Sequence, residues 1–186
     1  RWGIYIRTRG LSYLSFLFRT KNYTNEITER KKIAFDVLFY HELFHFLADI
    51  ASSHIEMVYK KPFYNNYSEF IKKQENLNLL IEEPLANAYI LRRMQKRLHP
   101  RIKELFRFQP HPYIRFSDFM TEIDFIKGKR ELGAIIHLHD NVGERVARRI
   151  DISNGTDYEP FWELLFNIEP EEIYIPQIPI YLVQEE

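Results

Sequence analysis

The sequence predicts an α+β fold, in which a small, mostly antiparallel sheet packs on one long, buried helix. Residues 2–19 are rich in β-forming side chains, and residues 173–183 alternate in the manner of an extended strand. Between these segments, residues 26–52 carry apolar side chains on every helical face, which indicates a helix buried nearly all round. A second, glutamate-bearing helix is predicted over 83–98. At 186 residues, the chain is expected to form a single domain over 1–186.

Composition limits the classes of function. The formal net charge is zero, which argues against nucleic acid as a direct partner, because phosphate binding needs an excess of positive charge. The chain has no cysteine, so any metal ion must be held by His, Asp or Glu. Without a secretory pattern or an apolar run of about 18 residues, the sequence predicts a cytoplasmic protein with no membrane partner. Its oligomeric state is left open.

The N-terminal segment is predicted to form a β-hairpin. Gly10 separates two groups of β-forming residues, and glycine commonly marks a turn between strands. These groups are Ile4 and Ile6 before the glycine, and Leu11, Tyr13, Phe16 and Phe18 after it.

The helix over 26–52 is the most clearly marked element. Thr24 or Asn25 can cap its start. Over residues 33–51 its only formal charges are two aspartates and one glutamate, Asp36, Asp49 and Glu42. A polar group in such an apolar helix therefore needs an explanation.

Shorter elements are predicted after this helix. Ser68 and Ser117 can each cap a helix, and Pro84 is tolerated in a first helical turn. Prolines in the tail restrict it to an edge strand or an extended arm, 170–186. The predicted helices cover 68–75, 83–98, 117–128, 131–150 and 160–167.

The motif that carries chemistry is His41-Glu42-Leu43-Phe44-His45, an HExxH pattern. Positions i and i+4 lie one above the other on a helix, so both imidazoles can reach one ion. Glu42 lies on the neighbouring face, where it can take the proton of a water molecule that zinc activates. Zinc would also satisfy polar groups that are costly to bury. The alternative is a pair of core histidines hydrogen-bonded to their neighbours.

A catalytic zinc site needs a third protein ligand. The extended pattern HExxHxxGxxH fails, because Ala48 and Ala51 occupy the Gly and His positions. The best source of this ligand is the segment 82–89, at the start of the second predicted helix, from which Glu83 could reach the metal. Asn87 shares the face of Glu83 and could hydrogen-bond the outer ring nitrogen of a liganding histidine. Glu82 is the first alternative to Glu83, followed by Glu56 and Glu69.

HExxH followed by Glu-x-x-Ala-Asn resembles the gluzincin metallopeptidases, and most closely those of the ImmA/IrrE type. The resemblance covers residues 33–95. It implies a zincin-like fold, a zinc ion bound by His41, His45 and Glu83, Glu42 as the general base, and Asn87 as support for a ligand. Two features depart from the group: the separation of His45 from Glu83 suggests an insertion over 55–75, and Pro84 directly follows the ligand.

A second polar cluster, His137-Leu138-His139-Asp140, lies towards the C-terminus. His137 or His139 is a candidate for stabilising the oxyanion of a tetrahedral intermediate, beside the ordinary role of a surface or capping residue. We therefore predict a zinc-dependent endopeptidase that acts on a protein or peptide substrate, which the resemblance suggests is a regulatory protein. The competing hypotheses are a catalytically silent zincin-fold module that binds or regulates a partner, and a structural domain in which HExxH arose by chance.

Overall fold

A computed structural model describes residues 3–19, 26–60, 62–73, 80–138 and 178–184. Helices dominate this part of the chain, and two short strands form a parallel pair. In chain order the elements are β1 (Ile4–Arg7), α1 (Thr8–Leu17), α2 (Ile27–Tyr59), α3 (Phe63–Lys72), α4 (Glu82–Arg93), a 3₁₀ turn (Lys96–Leu98), α5 (His99–Phe106), a 3₁₀ segment (Tyr113–Phe119), α6 (Glu122–Leu138) and β2 (Ile180–Val183).

Helix α2 is the central element, as its apolar pattern predicts. Its buried side chains lie on several faces, and α1, α3, α4 and β1 all pack against it. The helix continues past the predicted end at residue 52 as far as Tyr59, and Lys60 ends it in the left-handed conformation (φ 55°). The sequence predicts an insertion over 55–75, and its first residues, as far as Tyr59, are a continuation of α2.

The prediction of a mostly antiparallel sheet is wrong for the strands that the structure describes. β1 pairs in parallel with β2, in a register that places Ile4 beside Ile180 and Arg7 beside Val183. The extended C-terminal arm thus includes a strand, as predicted, but its partner lies at the opposite end of the chain. Because the two strands are far apart in sequence, tertiary packing decides whether they pair in the parallel or the antiparallel orientation.

The predicted N-terminal hairpin is also wrong, because its second half is α1. Leu11, Leu14 and Phe18 are spaced by three and four residues, which aligns them on one helical face that packs into the core. Gly10 lies in the first turn of α1. The β-propensity of the aromatic residues is overridden by this contact with the core, which is common for a context-dependent preference.

Helix α4 is buried along most of its length, from Glu82 to Leu91. It ends at Arg93, earlier than the predicted 98, and a 3₁₀ turn follows. Helix α3 begins at Phe63, so Ser68 lies inside it and is not its cap. The buried side chains of Phe63 and Tyr67 join the core, so this segment is an integral part of the fold.

The helix predicted over 117–128 is instead divided between the 3₁₀ segment Tyr113–Phe119 and α6. Ser117 lies within the 3₁₀ segment, and Gly128 lies inside α6 and does not end it. Glycine is needed at position 128 for space. A Cβ atom there would lie 2.6 Å from a ring carbon of Phe119 and 2.8 Å from a methyl carbon of Leu85.

Some predictions lie outside the described residues. These are the last part of the helix over 131–150, the helix over 160–167, and most of the arm over 170–186. Among the helices that the structure describes, none has both the length and the apolar character required to cross a membrane.

Replacing Gly128 with alanine should destabilise the protein by about 1–3 kcal/mol, because the added methyl group overpacks the contact with Phe119 and Leu85. Urea denaturation monitored by circular dichroism measures this change.

Gly10→Ala is the matched control, since nothing lies within 4 Å of a Cβ atom at that helical position. Alanine there should stabilise the protein by about 0.4–1 kcal/mol by restricting the unfolded chain. If both variants changed the free energy of unfolding alike, the close packing around Gly128 would be refuted.

Candidate metal centre

Three side chains from two helices converge where α2 packs against α4. His41 and His45 are one turn apart on α2, and their Nε2 atoms lie 3.3 Å from each other. Glu83, in the first turn of α4, places its Oε2 atom 3.2 Å from Nε2 of His41 and 3.5 Å from Nε2 of His45. The structure thus brings together the two histidines of the HExxH motif and the glutamate ranked first as third ligand.

The spacing of these three atoms fits one face of a tetrahedral metal site. With ligand distances of about 2.1 Å and tetrahedral angles, the edges of such a face are about 3.4 Å. The observed edges are 3.2, 3.3 and 3.5 Å. Glu83 Oε2 is buried and receives no hydrogen bond of good geometry from the described residues. Two histidines and one carboxylate form a donor set that suits zinc and leaves a fourth position for a water molecule or substrate.

Glu82 orients His45 from the outer side. Its Oε1 atom lies 2.7 Å from His45 Nδ1. Because a carboxylate only accepts hydrogen bonds, Nδ1 carries the proton in this contact. In the neutral ring this leaves the lone pair of Nε2 facing His41 and Glu83, which is the tautomer that a metal ion requires. Glu82, the first alternative for the third ligand, is therefore placed to support a ligand.

The electrostatic field at this centre favours a cation. Burial alone would lower the pKa of His45, but the hydrogen bonds and negative charges of Glu82 and Glu83 overcome this effect and raise the pKa to about 10. Burial would raise the pKa of Glu83, but His41 and His45 hold it far below its usual range. The same negative potential that holds a proton on His45 would attract a divalent ion, whose binding at neutral pH would release that proton.

Glu42 lies beside the three converging groups and faces a cavity. It lines that cavity together with His41, and the volume is about 700 Å³. Most other lining residues are apolar and come from α1, α2, α4 and α5; they include Leu14, Leu17, Val37, Leu38, Ile90 and Leu105. A molecule in this cavity would therefore have access to the Glu42 carboxylate and to one edge of the histidine pair.

Asn87 is fully buried one turn after Glu83 and also lines the cavity. Its amide nitrogen donates to Gln109 Oε1 (2.7 Å) and to the carbonyl oxygen of Tyr113 (3.2 Å). The sequence predicts a liganding histidine as the hydrogen-bond partner of Asn87, whereas in the structure its amide nitrogen donates to Gln109 and Tyr113. Asn87 thereby ties α4 to the segment that carries Tyr113.

The sequence offers His137 and His139 as candidates for stabilising the oxyanion. His137 occupies the penultimate position of α6 with its side chain outside the described residues, and His139 lies wholly outside them. Tyr113 lies near the centre, where burial together with the charges of Glu83 and Glu42 raises the pKa of its hydroxyl group.

Sequence reasoning missed Tyr113 and Tyr64. The hydroxyl group of Tyr64 donates to Glu82 Oε1 at 2.9 Å, and burial followed by the charge of Glu82 raises its pKa so that it keeps its proton. Neither tyrosine belongs to a spaced motif with HExxH. Tyr113 is the last residue of a proline-rich stretch, 109–113, that the sequence predicts to be a connector, and Tyr64 lies in the predicted insertion, so no local pattern marks either residue.

Comparisons with protein-family models, with curated proteins and with solved structures find no match for this chain. The case for the candidate metal centre therefore rests on geometry. Among the described residues, His41, His45 and Glu83 are the only group of three or more His, Asp or Glu side chains whose ligand atoms lie close enough together to hold one metal ion.

Replacing Glu83 with alanine should reduce zinc in the purified protein from about one ion per chain to a small fraction, because two histidines alone bind zinc weakly. Elemental analysis after dialysis measures the zinc content.

Glu82→Ala, a change of the neighbouring glutamate, is the control. It should keep the stoichiometry and weaken the affinity by about 10- to 100-fold, as expected for a residue that only orients a ligand. Zinc retained in Glu83→Ala and lost in Glu82→Ala would exchange the two roles.

Proposed function

We propose that this chain is a zinc-dependent endopeptidase of the gluzincin type with a zincin-like arrangement around its HExxH helix. The observation that carries the proposal is the convergence of His41, His45 and Glu83 within one tetrahedral face, beside Glu42 at a cavity wall. The HExxH motif and the Glu-x-x-Ala-Asn pattern that follows it resemble those of the ImmA/IrrE type and support the same reaction class, although the separation of His45 from Glu83 is longer than is usual for that group. A chance HExxH has no reason to meet, at ligand spacing, a half-buried glutamate of another helix.

In the proposed reaction, His41, His45 and Glu83 hold zinc, which supplies Lewis acidity that activates water and polarises the peptide carbonyl. Glu42 accepts the proton of the attacking water and delivers it to the leaving amine. The half-buried position of Glu42 on the cavity wall gives it access to both groups. Glu82 keeps His45 in the required tautomer throughout.

Tyr113 is proposed for the role that the sequence assigned to His137 or His139. Its hydroxyl group lies close enough to Glu83 and Glu42 to experience both charges. The raised pKa keeps the hydroxyl protonated at neutral pH, so it can donate a hydrogen bond to an oxyanion that forms at the centre.

The substrate is proposed to be a protein or peptide with an apolar side chain near the scissile bond. The cavity beside Glu42 is lined largely by aliphatic residues of α1, α2 and α5. Burying an apolar side chain there would help to position the peptide bond over the metal centre.

Glu42→Gln should lower kcat for peptide hydrolysis by about 10²- to 10⁴-fold while zinc content stays unchanged, because the amide cannot accept the proton. A fluorogenic peptide library followed by elemental analysis tests both parts.

Glu29→Gln makes the same change on a glutamate of α2 that does not line the cavity and should leave kcat unchanged. A wild-type protein that binds zinc and hydrolyses none of the peptides would support the alternative hypothesis of a catalytically silent binding module.

Tyr113→Phe should lower kcat by about 100-fold with little change in zinc content, because it removes one donor to the oxyanion. Tyr5→Phe, at an exposed tyrosine that does not line the cavity, is the control. Unchanged kcat in Tyr113→Phe would remove this residue from the mechanism.

A further inference from the structure

A closed chain of hydrogen bonds links three helices around the candidate metal centre. His45 on α2 donates to Glu82 on α4 at 2.7 Å. Tyr64 on α3 donates its hydroxyl hydrogen to the same Glu82 oxygen at 2.9 Å. The backbone N–H of Tyr64 then donates to Glu56 Oε1 at 2.7 Å, and Glu56 lies on α2, where the chain of bonds began.

The two anchor points on α2 lie on one face of that helix. Position 56 follows position 45 by eleven residues, which is close to three full turns at 3.6 residues per turn. Glu56 therefore accepts a hydrogen bond from the first turn of α3, where a carboxylate also interacts favourably with the helix dipole. This contact fixes the start of α3 above the same face that presents His45.

Glu82 needs such donors because it is a nearly buried carboxylate. Only 9% of the residue is exposed, and a buried charge is costly unless hydrogen bonds satisfy it. His45 and Tyr64 share its Oε1 atom, and the buried Tyr67 of α3 packs beside Tyr64, with the two ring centroids 5.9 Å apart. Tyr64, packed against Tyr67, thus holds the carboxylate that orients a predicted metal ligand.

We propose that Tyr64, with Tyr67 beside it, is a positioning residue of the metal centre: it fixes Glu82, which in turn fixes the ring of His45. Helix α3 is then a functional part of the site, although it lies in a segment that the sequence marks as an insertion. The proposal rests on the metal centre proposed above, and it does not depend on whether the protein cleaves peptides.

The mechanism is restriction of the ligand before the metal binds. If His45 were the only hydrogen-bond donor to Glu82, the carboxylate could rotate, and the imidazole ring bonded to it could rotate as well. With the hydroxyl group of Tyr64 as a second donor, Nε2 of His45 is held 3.5 Å from Oε2 of Glu83 and 3.3 Å from Nε2 of His41. Loss of outer hydrogen bonds of this kind typically weakens metal affinity by about 10- to 100-fold.

The test measures zinc dissociation constants by competition with a chromophoric chelator for the wild type, Tyr64→Phe and Tyr64→Phe/Tyr67→Phe. We expect about 10-fold weaker binding in the single variant and a larger loss in the double variant. Tyr89→Phe is the matched control, because it removes a hydroxyl group from a buried tyrosine of α4 and should leave the affinity unchanged. Thermal unfolding of the metal-free proteins shows whether any variant is merely less stable.

A double-mutant cycle decides whether Tyr64 acts through Glu82. If it does, Tyr64→Phe weakens zinc binding in the wild-type background and has no further effect in a Glu82→Gln background. The absorption spectrum of the Co²⁺ protein should change in Tyr64→Phe and not in Tyr89→Phe, since it reports the ligand geometry directly.

The proposal is overturned if both tyrosine variants bind zinc as the wild type does, or if the effects of Tyr64→Phe and Glu82→Gln simply add. It is also overturned if the wild type binds no zinc, which would remove the metal centre itself. A wild type that binds zinc with the expected Tyr64 dependence and hydrolyses no peptide would refute the proposed peptidase activity and uphold the positioning role.

Discussion

The interface between α2 and α4 is the constraint on which the rest of the structure depends. Polar side chains from both helices meet there inside an otherwise apolar contact, and each must be satisfied if the helices are to pack. His45 and Glu82 satisfy each other at 2.7 Å, whereas Glu83 Oε2 is left facing two imidazole nitrogens without a hydrogen bond of good geometry. The proposed metal ion would complete this interface and satisfy the buried Oε2 atom of Glu83.

Two adjacent glutamates take different roles because of their position at the start of α4. Consecutive residues on a helix point about 100° apart, so Glu82 and Glu83 reach opposite sides of the His45 ring. Glu82 meets Nδ1 and the hydroxyl group of Tyr64, while Glu83 meets Nε2 and His41. Both carboxylates also lie in the first helical turn, where the helix dipole favours negative charge. Neighbouring elements pack around this interface. Helix α3 contacts α2, and α6 contacts α4, where Gly128 leaves space for the ring of Phe119.

The sequence was most informative where chemistry depends on short spacing. The spacing of four positions from His41 to His45 defines a common helix face, and the acidic start of a second helix indicated Glu83 as the candidate third ligand, with Glu82 as its alternative. The partners of Asn87 and the positions of Tyr113 and Tyr64 could not be predicted from the sequence. Each of these interactions joins residues at least 18 positions apart, which only tertiary packing brings together. The N-terminal hairpin failed for a related reason: aromatic residues favour strands only until a helical face finds a core to pack against.

By itself, the amino-acid sequence determined the long buried helix, the polar motif on it, and the extended character of the C-terminal strand. Local periodicity and covalent spacing are sufficient for these features, since they involve neighbours within a turn or two. Only the tertiary structure decided the parallel pairing of β1 with β2, the conversion of the predicted hairpin into α1, and the placement of Glu82 beside Nδ1 of His45 and of Glu83 beside Nε2 of both histidines. Those outcomes depend on which distant surfaces become buried together, and no local pattern in the chain contains that information.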